Sequence, residues 1–140
     1  MPVVSIRFAD TPLYQRLKKI ARRRGLSIST LAQRLIDEGL RMDAHPLIEF
    51  RDYASGRRPA LVGGPQIVWV IDAMVGGDVP AEQRRVRTAE LMNLRLTQVD
   101  AALAYYADHT AEIDTDIADR QRFAEEAEAA WRRQQALLSA

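Results

Sequence analysis

The sequence predicts a mainly helical protein in which an N-terminal strand and two helices precede a larger helical part. Three observations predict this class: apolar residues alternate over residues 3–8, they recur at helical spacing along most of the remaining chain, and positive charge is concentrated at one end. We divide the chain into residues 1–42, a hairpin or extended linker at residues 43–64, a three-helix domain at residues 65–109, and an amphipathic helix at residues 110–140.

Composition limits the class of protein. The 140 residues are 47% hydrophobic and 28% charged, and they include no cysteine. Such a chain is too apolar to be wholly disordered, and the lack of cysteine excludes disulfide frameworks, thiol nucleophiles and cysteine-based zinc sites. No apolar run approaches the roughly 18 residues of a membrane span, and the first residues do not resemble an export leader. We therefore expect a soluble, cytoplasmic protein that makes no membrane contact.

The net charge of +1 conceals an asymmetry along the chain. Residues 1–42 carry nine Lys and Arg against three Asp and Glu, whereas the remaining residues carry eleven against sixteen. A basic end on an acidic body is typical of a protein that binds nucleic acid through that end. A solvated helix face gives the same count, so charge alone does not decide between the two interpretations.

Residues 3–8 alternate so that Val4, Ile6 and Phe8 share one face of a half-buried strand. Asp10, with Pro12 two positions later, is a helix start signal, and Gly25 is placed to end that helix. Ser27 can then cap a second helix. The apolar positions are Leu13, Leu17, Ile20 and Ala21 in the first helix and Leu31, Leu35, Ile36 and Leu40 in the second.

This strand and two helices are too small a unit to fold alone. Domains below about 40 residues usually need oligomerisation, a metal or disulfides, and residues 1–42 contain neither Cys nor His. Pairing the strand with the same strand of a second chain satisfies its backbone and lets four helices cover its apolar face. The pattern therefore predicts an intertwined homodimer.

Residues 3–42, VVSIRFADTPLYQRLKKIARRRGLSISTLAQRLIDEGLRM, resemble the ribbon-helix-helix DNA-binding proteins of the Arc and MetJ type. The resemblance implies that the two-stranded ribbon enters the major groove of double-stranded operator DNA. Val3, Ser5 and Arg7 would then face base edges, and the Arg7 guanidinium can donate two hydrogen bonds to guanine. Phosphate contacts are expected from Ser27, Ser29 and Thr30 at the start of the second helix and from Lys18, Lys19, Arg22 and Arg23. The alternative for Arg7 is an exposed strand residue that touches no DNA.

The second half predicts a hairpin followed by three helices. The first helix is apolar nearly all round, so we expect Trp69 to lie in the core. The second, at about residues 80–93, presents Val86, Leu91 and Met92. A capping box formed by Thr97 and Asp100 is expected to open the third helix. The residues of that helix expected to face inward are Val99, Ala102, Leu103 and Tyr106.

Four sequence markers occur in order within residues 61–117: Gly-Pro-Gln-Ile, Leu-Thr-Gln-Val, Ala-Leu-Ala-Tyr-Tyr and Glu-Ile-Asp. This part is similar to a small helical family of VapB-like antitoxins, known or presumed, that are partnered with PIN-like ribonuclease toxins. Two interpretations of the three helices stay open. They form either a second helix-turn-helix with Thr97 and Gln98 at the start of its recognition helix, or a packing and dimerisation module.

From Thr110 onward the sequence predicts one long amphipathic helix. Its apolar stripe repeats every seven residues, as Ile117, Ala124, Trp131 and Leu138, with Ile113 and Phe123 beside it. We expect the stripe to occupy a hydrophobic groove of a protein partner with Trp131 as anchor. By analogy with antitoxins, Arg132 or Arg133 would reach acidic residues of the partner's active site. The alternative is that the stripe folds back onto the chain's own core.

Residue types that carry catalysis do not converge in the sequence. His45 and His109 lie in unlike contexts, and Glu112, Asp116 and Asp119 share one helix face that we interpret as a solvated charged surface rather than a metal site. We therefore expect no enzymatic activity, no cofactor and no metal.

The leading hypothesis is the antitoxin of a type II toxin–antitoxin module. It would repress its own operon as a DNA-binding dimer and neutralise a PIN-like ribonuclease toxin through its C-terminal half. One alternative is a stand-alone ribbon-helix-helix transcriptional regulator whose C-terminal domain senses a ligand or sets the oligomeric state, with Trp69, Tyr105 and Tyr106 forming a pocket. Another is an assembly module whose basic end only maintains solubility.

Overall fold

The computed structural model describes residues 1–76 and 78–140, and this part is mainly helical, as predicted. It contains six α-helices and one antiparallel pair of strands. The chain divides into two compact units, Met1–Ala44 and His45–Ala140, which we call the first and second units. The elements are α1 (Thr11–Arg24), α2 (Ile28–Ala44), β1 (Ile48–Tyr53), β2 (Gly56–Leu61), α3 (Ile67–Val75), α4 (Arg84–Met92), α5 (Leu96–Asp108) and α6 (Thr110–Leu138), with a 3₁₀ turn at Ala81–Gln83 before α4.

The two helices of the first unit begin and end where the sequence predicts. Asp10 occupies the N-cap position of α1, although its side chain makes no capping hydrogen bond. Gly25 adopts the left-handed conformation (φ 67°) that ends the helix, and the Leu26 N–H then donates to the Ala21 carbonyl at 2.9 Å. Ser27 Oγ accepts the Thr30 N–H at 3.0 Å, which satisfies one of the unpaired donors at the start of α2.

The strand predicted at residues 3–8 is not a strand in the single chain. These residues have no regular secondary structure, and both Val4 and Ile6 are exposed. The physical reason is that an extended segment forms a strand only when another segment accepts and donates its backbone hydrogen bonds, and the first unit contains no second strand.

The predicted hairpin forms, but it belongs to the second unit rather than serving as a linker. β1 and β2 pair in a register that runs from Ile48 opposite Leu61 to Tyr53 opposite Gly56. Ile48 and Leu61 are buried in the core of the second unit, so the hairpin is held by packing. Arg51 ties it to the following turn, because its Nη2 donates to the carbonyls of Leu61, at 3.0 Å, and Gly64.

One apolar core joins the hairpin to the helices of the second unit. Tyr105 is the largest of its fully buried side chains, and its ring lies 4.5 Å from the His109 ring centre and 5.3 Å from that of His45. The buried residues of this core are Ile48, Leu61, Ile67, Val70, Ile71, Met74, Ala89, Val99, Ala102, Tyr105 and Ile113.

Several sequence predictions for the second unit are wrong in detail. Trp69 is 42% exposed rather than part of the core. On α4 the face that carries Thr88 and Ala89 is buried, while Val86 and Leu91 are exposed. The buried face therefore carries smaller side chains than the Leu91 that the sequence offered, and the size of an apolar side chain alone did not indicate which face packs.

The predicted Thr97–Asp100 capping box does not form. α5 begins at Leu96 with Arg95 as its N-cap, and Gln98 Oε1 accepts the Arg95 N–H at 2.9 Å. Asp100 instead accepts two hydrogen bonds from Arg85, at 2.7 and 2.9 Å. A bidentate guanidinium–carboxylate pair between α4 and α5 has therefore replaced the predicted local contact.

Among residues 1–76 and 78–140, none of the helices is both long enough and apolar enough to cross a bilayer.

The core assignment predicts effects of very different size on the free energy of unfolding for two leucine-sized residues of α6. Ile113→Ala should lower the free energy of unfolding of the second unit by about 2–5 kcal/mol because it opens a cavity in a closed core. Leu138→Ala, at a residue that is 80% exposed, should change it by less than about 0.5 kcal/mol. Urea unfolding followed by tryptophan fluorescence measures this, since both tryptophans lie in the second unit. Equal midpoints for the two variants would contradict the core assignment.

Candidate nucleic-acid and partner interfaces

The basic residues of α1 form a surface of one charge. No acidic residue occurs in Thr11–Arg24, and Lys18, Lys19, Arg22 and Arg23 are all exposed. In the part of the chain that the structure describes, none of these four cations has a carboxylate within ion-pair distance. Their charge is therefore available to phosphate groups rather than neutralised within the chain.

The N-terminal segment presents its three predicted base-contacting residues to solvent. Val3, Ser5 and Arg7 are all exposed. The segment is anchored at its end, where the Phe8 ring makes an edge contact with the Tyr14 ring of α1 at 5.4 Å between centroids. In the single chain no contact selects one face of this segment, so the predicted separation of Val4 and Ile6 from Arg7 depends on a pairing partner.

The start of α2 carries the three predicted hydroxyl groups. Ser27 Oγ accepts the Thr30 N–H and also donates to Thr30 Oγ1 at 2.8 Å. Ser29 is exposed at the same helix end. Ser27 is thus an N-cap residue whatever else it contacts, and phosphate binding by this end remains a prediction.

The first unit leaves most of its large apolar side chains uncovered. Leu31 and Ala21 are its only buried apolar residues, whereas Leu35, Ile36 and Leu40 of α2 are exposed, Leu40 by 67%. Val4, Ile6 and Leu13 are exposed as well. An apolar surface of this extent on one small unit is typical of a protein interface rather than of a surface that stays exposed to solvent.

The predicted stripe of α6 divides into two parts. Ile113 is fully buried and Ile117 packs against the same core, so the prediction that Ile113 contacts a partner is wrong. From Phe123 onward the stripe is uncovered: Ala124, Trp131 and Leu138 are exposed, Trp131 by 59%. The alternative in which the stripe folds back onto the chain's own core therefore applies to its first part, and partner binding by the uncovered part stays a prediction.

The two predicted arginines of α6 lie on its uncovered part. Arg132 Nη2 donates to Glu128 Oε1 at 2.6 Å, a pair one helical turn apart, and Arg133 is exposed beside it. An exposed pair of this kind contributes little to stability, so Arg132 can exchange its partner at small cost.

The residues predicted at the start of a recognition helix differ in their surroundings. Thr97 is exposed, but the Gln98 side-chain oxygen is used to accept the Arg95 N–H. Nearby, the hydrogen bond from Arg85 holds the pKa of Asp100 below its ordinary value, with the Arg85 charge acting in the same direction. The Asp100 carboxylate at this end of α5 is thus already paired with Arg85.

A cleft of about 460 Å³ in the second unit was not predicted from the sequence. We call it the Trp69–Asp116 cleft, and it lies where the hairpin turn, the start of α3 and the middle of α6 meet. Its lining residues are Ala54, Ser55, Arg58, Gln66, Val68, Trp69, Asp116, Asp119, Arg120 and Phe123. The three residues that we expected to form one pocket do not: Tyr105 is buried in the core, and the Tyr106 hydroxyl donates to Asp114 at 2.6 Å.

One carboxylate of this cleft, Asp116, has little positive charge close to it. Asp116 is only 14% exposed at its side chain, and Arg58 Nε lies 3.8 Å from its Oδ2. Burial raises the pKa of Asp116, as do the charges of Glu112 and Asp119, and these effects exceed the lowering by Arg58. Asp116 is therefore a carboxylate with less positive charge around it than it needs.

Comparison with known proteins adds no relative: no family model matches the chain, and neither a curated protein nor a solved structure matches it.

The surroundings of Asp116 predict its titration. We expect its pKa to lie above the ordinary value of 3.8 and to fall in Asp119→Asn, because that change removes a neighbouring negative charge. A pKa that is higher in the folded state means that the native state binds the proton more tightly. This carboxyl therefore destabilises the fold as the pH rises through its folded pKa, and Asp116→Asn should abolish that loss. Carbon-13 NMR of the Asp116 carboxyl measures the pKa, and a value at or below 3.8 would contradict this electrostatic account.

Proposed function

We propose that this protein is the antitoxin of a type II toxin–antitoxin module. It binds operator DNA as a homodimer through the first unit, represses its own operon, and neutralises a PIN-like ribonuclease toxin through α6. The observation that carries the proposal is the surface of the first unit, which combines uncovered apolar side chains with unpaired cations.

The apolar side chains support a dimer. Burying a Leu or Ile side chain contributes about 1.5–3 kcal/mol, and Leu35, Ile36 and Leu40 of each copy are exposed in the single chain. Pairing residues 3–8 of two copies would satisfy their backbone groups and would turn Val4 and Ile6 inward, onto these helices.

The same pairing would generate the DNA-reading surface. Because side chains alternate along a strand, turning Val4 and Ile6 inward directs Val3, Ser5 and Arg7 outward. A two-stranded ribbon fits the major groove, where Arg7 is suited to guanine. Lys18, Lys19, Arg22 and Arg23, together with Ser27, Ser29 and Thr30 at the start of α2, would then contact phosphates and fix the position of the ribbon.

Toxin binding is assigned to the uncovered part of α6. Its core-packed start fixes the helix, and Phe123, Ala124, Trp131 and Leu138 then offer an apolar stripe to a groove on the toxin. Arg132 and Arg133 lie beside Trp131, from where a guanidinium can pair with the carboxylates of a PIN-like active site.

A second candidate function is a ribbon-helix-helix regulator whose second unit senses a ligand. The Trp69–Asp116 cleft favours it, because the cleft combines an exposed indole with polar groups that converge from three elements. The two functions differ in the partner of the second unit and agree on the first unit.

DNA binding tests the role of the first unit. We expect the protein to bind its own upstream DNA more tightly than a scrambled duplex, with an affinity that falls steeply as salt increases. Arg7→Ala should cost about 1–3 kcal/mol and relax the preference at one base pair, because the bidentate contact is lost. Lys18→Ala should weaken binding to all sequences. It should also reduce the slope of log affinity against log salt concentration by about the amount that one phosphate contact contributes.

Fluorescence anisotropy across a salt series measures these effects. The matched control is Arg132→Ala, which removes an exposed arginine from the second unit and should leave DNA binding unchanged. Weak binding that is equal for both duplexes would exclude the repressor role.

Toxin binding tests the role of α6. Trp131→Ala combined with Leu138→Ala should weaken binding of the co-encoded ribonuclease by about 2 kcal/mol or more, since an aromatic anchor is removed. DNA binding should stay nearly the same. Leu91→Ala is the control because it removes an equally exposed apolar side chain from α4. If calorimetry showed that DNA and toxin binding fall together in the double variant, the division of labour between the units would be wrong.

A further inference from the structure

We propose that the Trp69–Asp116 cleft is a binding site for a guanidinium group. This inference names the ligand chemistry of the cleft on which the second candidate function rests, and it does not depend on DNA binding because all the residues that form the cleft lie in the second unit. Its volume of about 460 Å³ falls within the range of roughly 300–1,000 Å³ that ligand pockets occupy.

A side-chain amide without a protein partner lines the cleft and is open to a ligand. Gln66 lines the cleft and is only 6% exposed. Among the residues that the structure describes, none makes a hydrogen bond to its side-chain amide. The Gln66 amide is not among the side-chain groups closed off from solvent, so a group that enters the cleft can donate to Gln66 Oε1 without displacing a protein partner.

The two arginines of the cleft are already engaged, which argues against an anionic ligand. Arg58 donates to the carbonyls of Ser55, at 3.0 Å, and Arg57, at 3.2 Å. Arg120 Nη1 donates to Asp72 Oδ2 at 3.3 Å. An incoming anion could reach only the N–H groups that these bonds leave free, and it would meet the negative charges of Asp116 and Asp119, which also line the cleft.

The acceptors, by contrast, lack donors. The Arg58 Nε–Asp116 Oδ2 distance of 3.8 Å is too long for a hydrogen bond, so that pair is held by charge alone. The charges of Glu112 and Asp119 also face Asp116, and its raised pKa agrees with a shortage of positive charge. A ligand that carries positive charge and several N–H groups meets the needs of both Asp116 and Gln66.

The aromatic wall selects a guanidinium over an ammonium. A guanidinium is planar, donates two parallel hydrogen bonds to a carboxylate, and stacks on aromatic faces, whereas an ammonium is compact and strongly hydrated. The Trp69 ring is compatible with a guanidinium, because the carbon of the Arg120 guanidinium lies 5.7 Å from its centre, although Arg120 itself uses part of this surface. Phe123 adds a second aromatic side chain to the lining.

Tryptophan fluorescence of the full-length chain tests the proposal. The variant Trp131→Phe leaves Trp69 as the sole tryptophan, so its emission reports on the cleft. The probes are agmatine, a small free guanidinium compound, and N-acetyl-L-arginine methylamide, which presents the same group as a peptide side chain. The uncharged, equally shaped control is the corresponding citrulline compound.

We expect saturable binding of a guanidinium probe and at least tenfold weaker binding of the citrulline compound. Tighter binding of the arginine derivative identifies a polypeptide arginine as the source of the group, whereas tighter binding of agmatine identifies a small molecule. Saturable binding that is equal for the citrulline compound, or no binding of either guanidinium probe, would overturn the proposal. The corresponding lysine compound carries an ammonium in place of the guanidinium. If it bound as tightly as the arginine derivative, the choice of guanidinium would be overturned.

Two variants connect the binding to the named groups. Asp116→Asn should lower the affinity for the guanidinium probe by about tenfold or more, because a charge-assisted hydrogen bond is roughly twice as strong as a neutral one. Gln66→Met, which keeps the length of the side chain, should weaken it by a smaller factor. Glu126→Gln is the matched control, since it removes an exposed carboxylate of α6 that does not line the cleft. Unchanged affinity in Asp116→Asn, with the fold intact by circular dichroism, would contradict the assignment.

Discussion

The constraint on which the first unit depends is a shortage of apolar burial. Gly25 ends α1 and Ser27 caps α2, yet Leu35, Ile36 and Leu40 remain exposed, and the segment before α1 forms no strand pairing in the single chain. Caps determine where helices begin and end, but each contributes only about 1 kcal/mol, which is far below the conformational entropy of ordering such a unit. In the proposed function, a second copy of the same surface would supply both the missing burial and the missing strand, so dimerisation and DNA reading would depend on the same pairing.

The second unit meets the same requirement within one chain. Tyr105 and the residues around it close a core between the hairpin and the helices, and the start of α6 is part of that core. The helix then continues for several turns with its apolar side chains uncovered. Because α6 is anchored at one end, its uncovered part is already held as a helix. A protein that binds the rest of the stripe therefore orders less of the chain, and loses less conformational entropy, than it would on binding a disordered tail. The cleft lies at the junction, where Phe123 belongs both to its lining and to the stripe.

Local signals were predictable and long-range placement was not. Gly25 and Ser27 act on their own helix ends, so a few neighbouring residues suffice to predict them. By contrast, whether Trp69 or Leu91 is buried depends on which face of its helix meets the rest of the unit, and an all-round apolar pattern does not specify that face. The heptad of α6 likewise shows no break at Ile117, where burial stops. Gln66 and Asp116 are distant in sequence, so their convergence in one cleft left no sequence signal.

Sedimentation equilibrium of the purified chain tests the central claim, that the first unit is completed by a second copy, most directly. The account predicts a mass of twice the 15.8 kDa chain at micromolar concentration, and a shift to the single-chain mass in Ile36→Asp, where a charge is placed on the uncovered face of α2. A stable, folded species of 15.8 kDa in the unaltered protein would contradict it, because the first unit would then be stable with its apolar surface exposed to solvent.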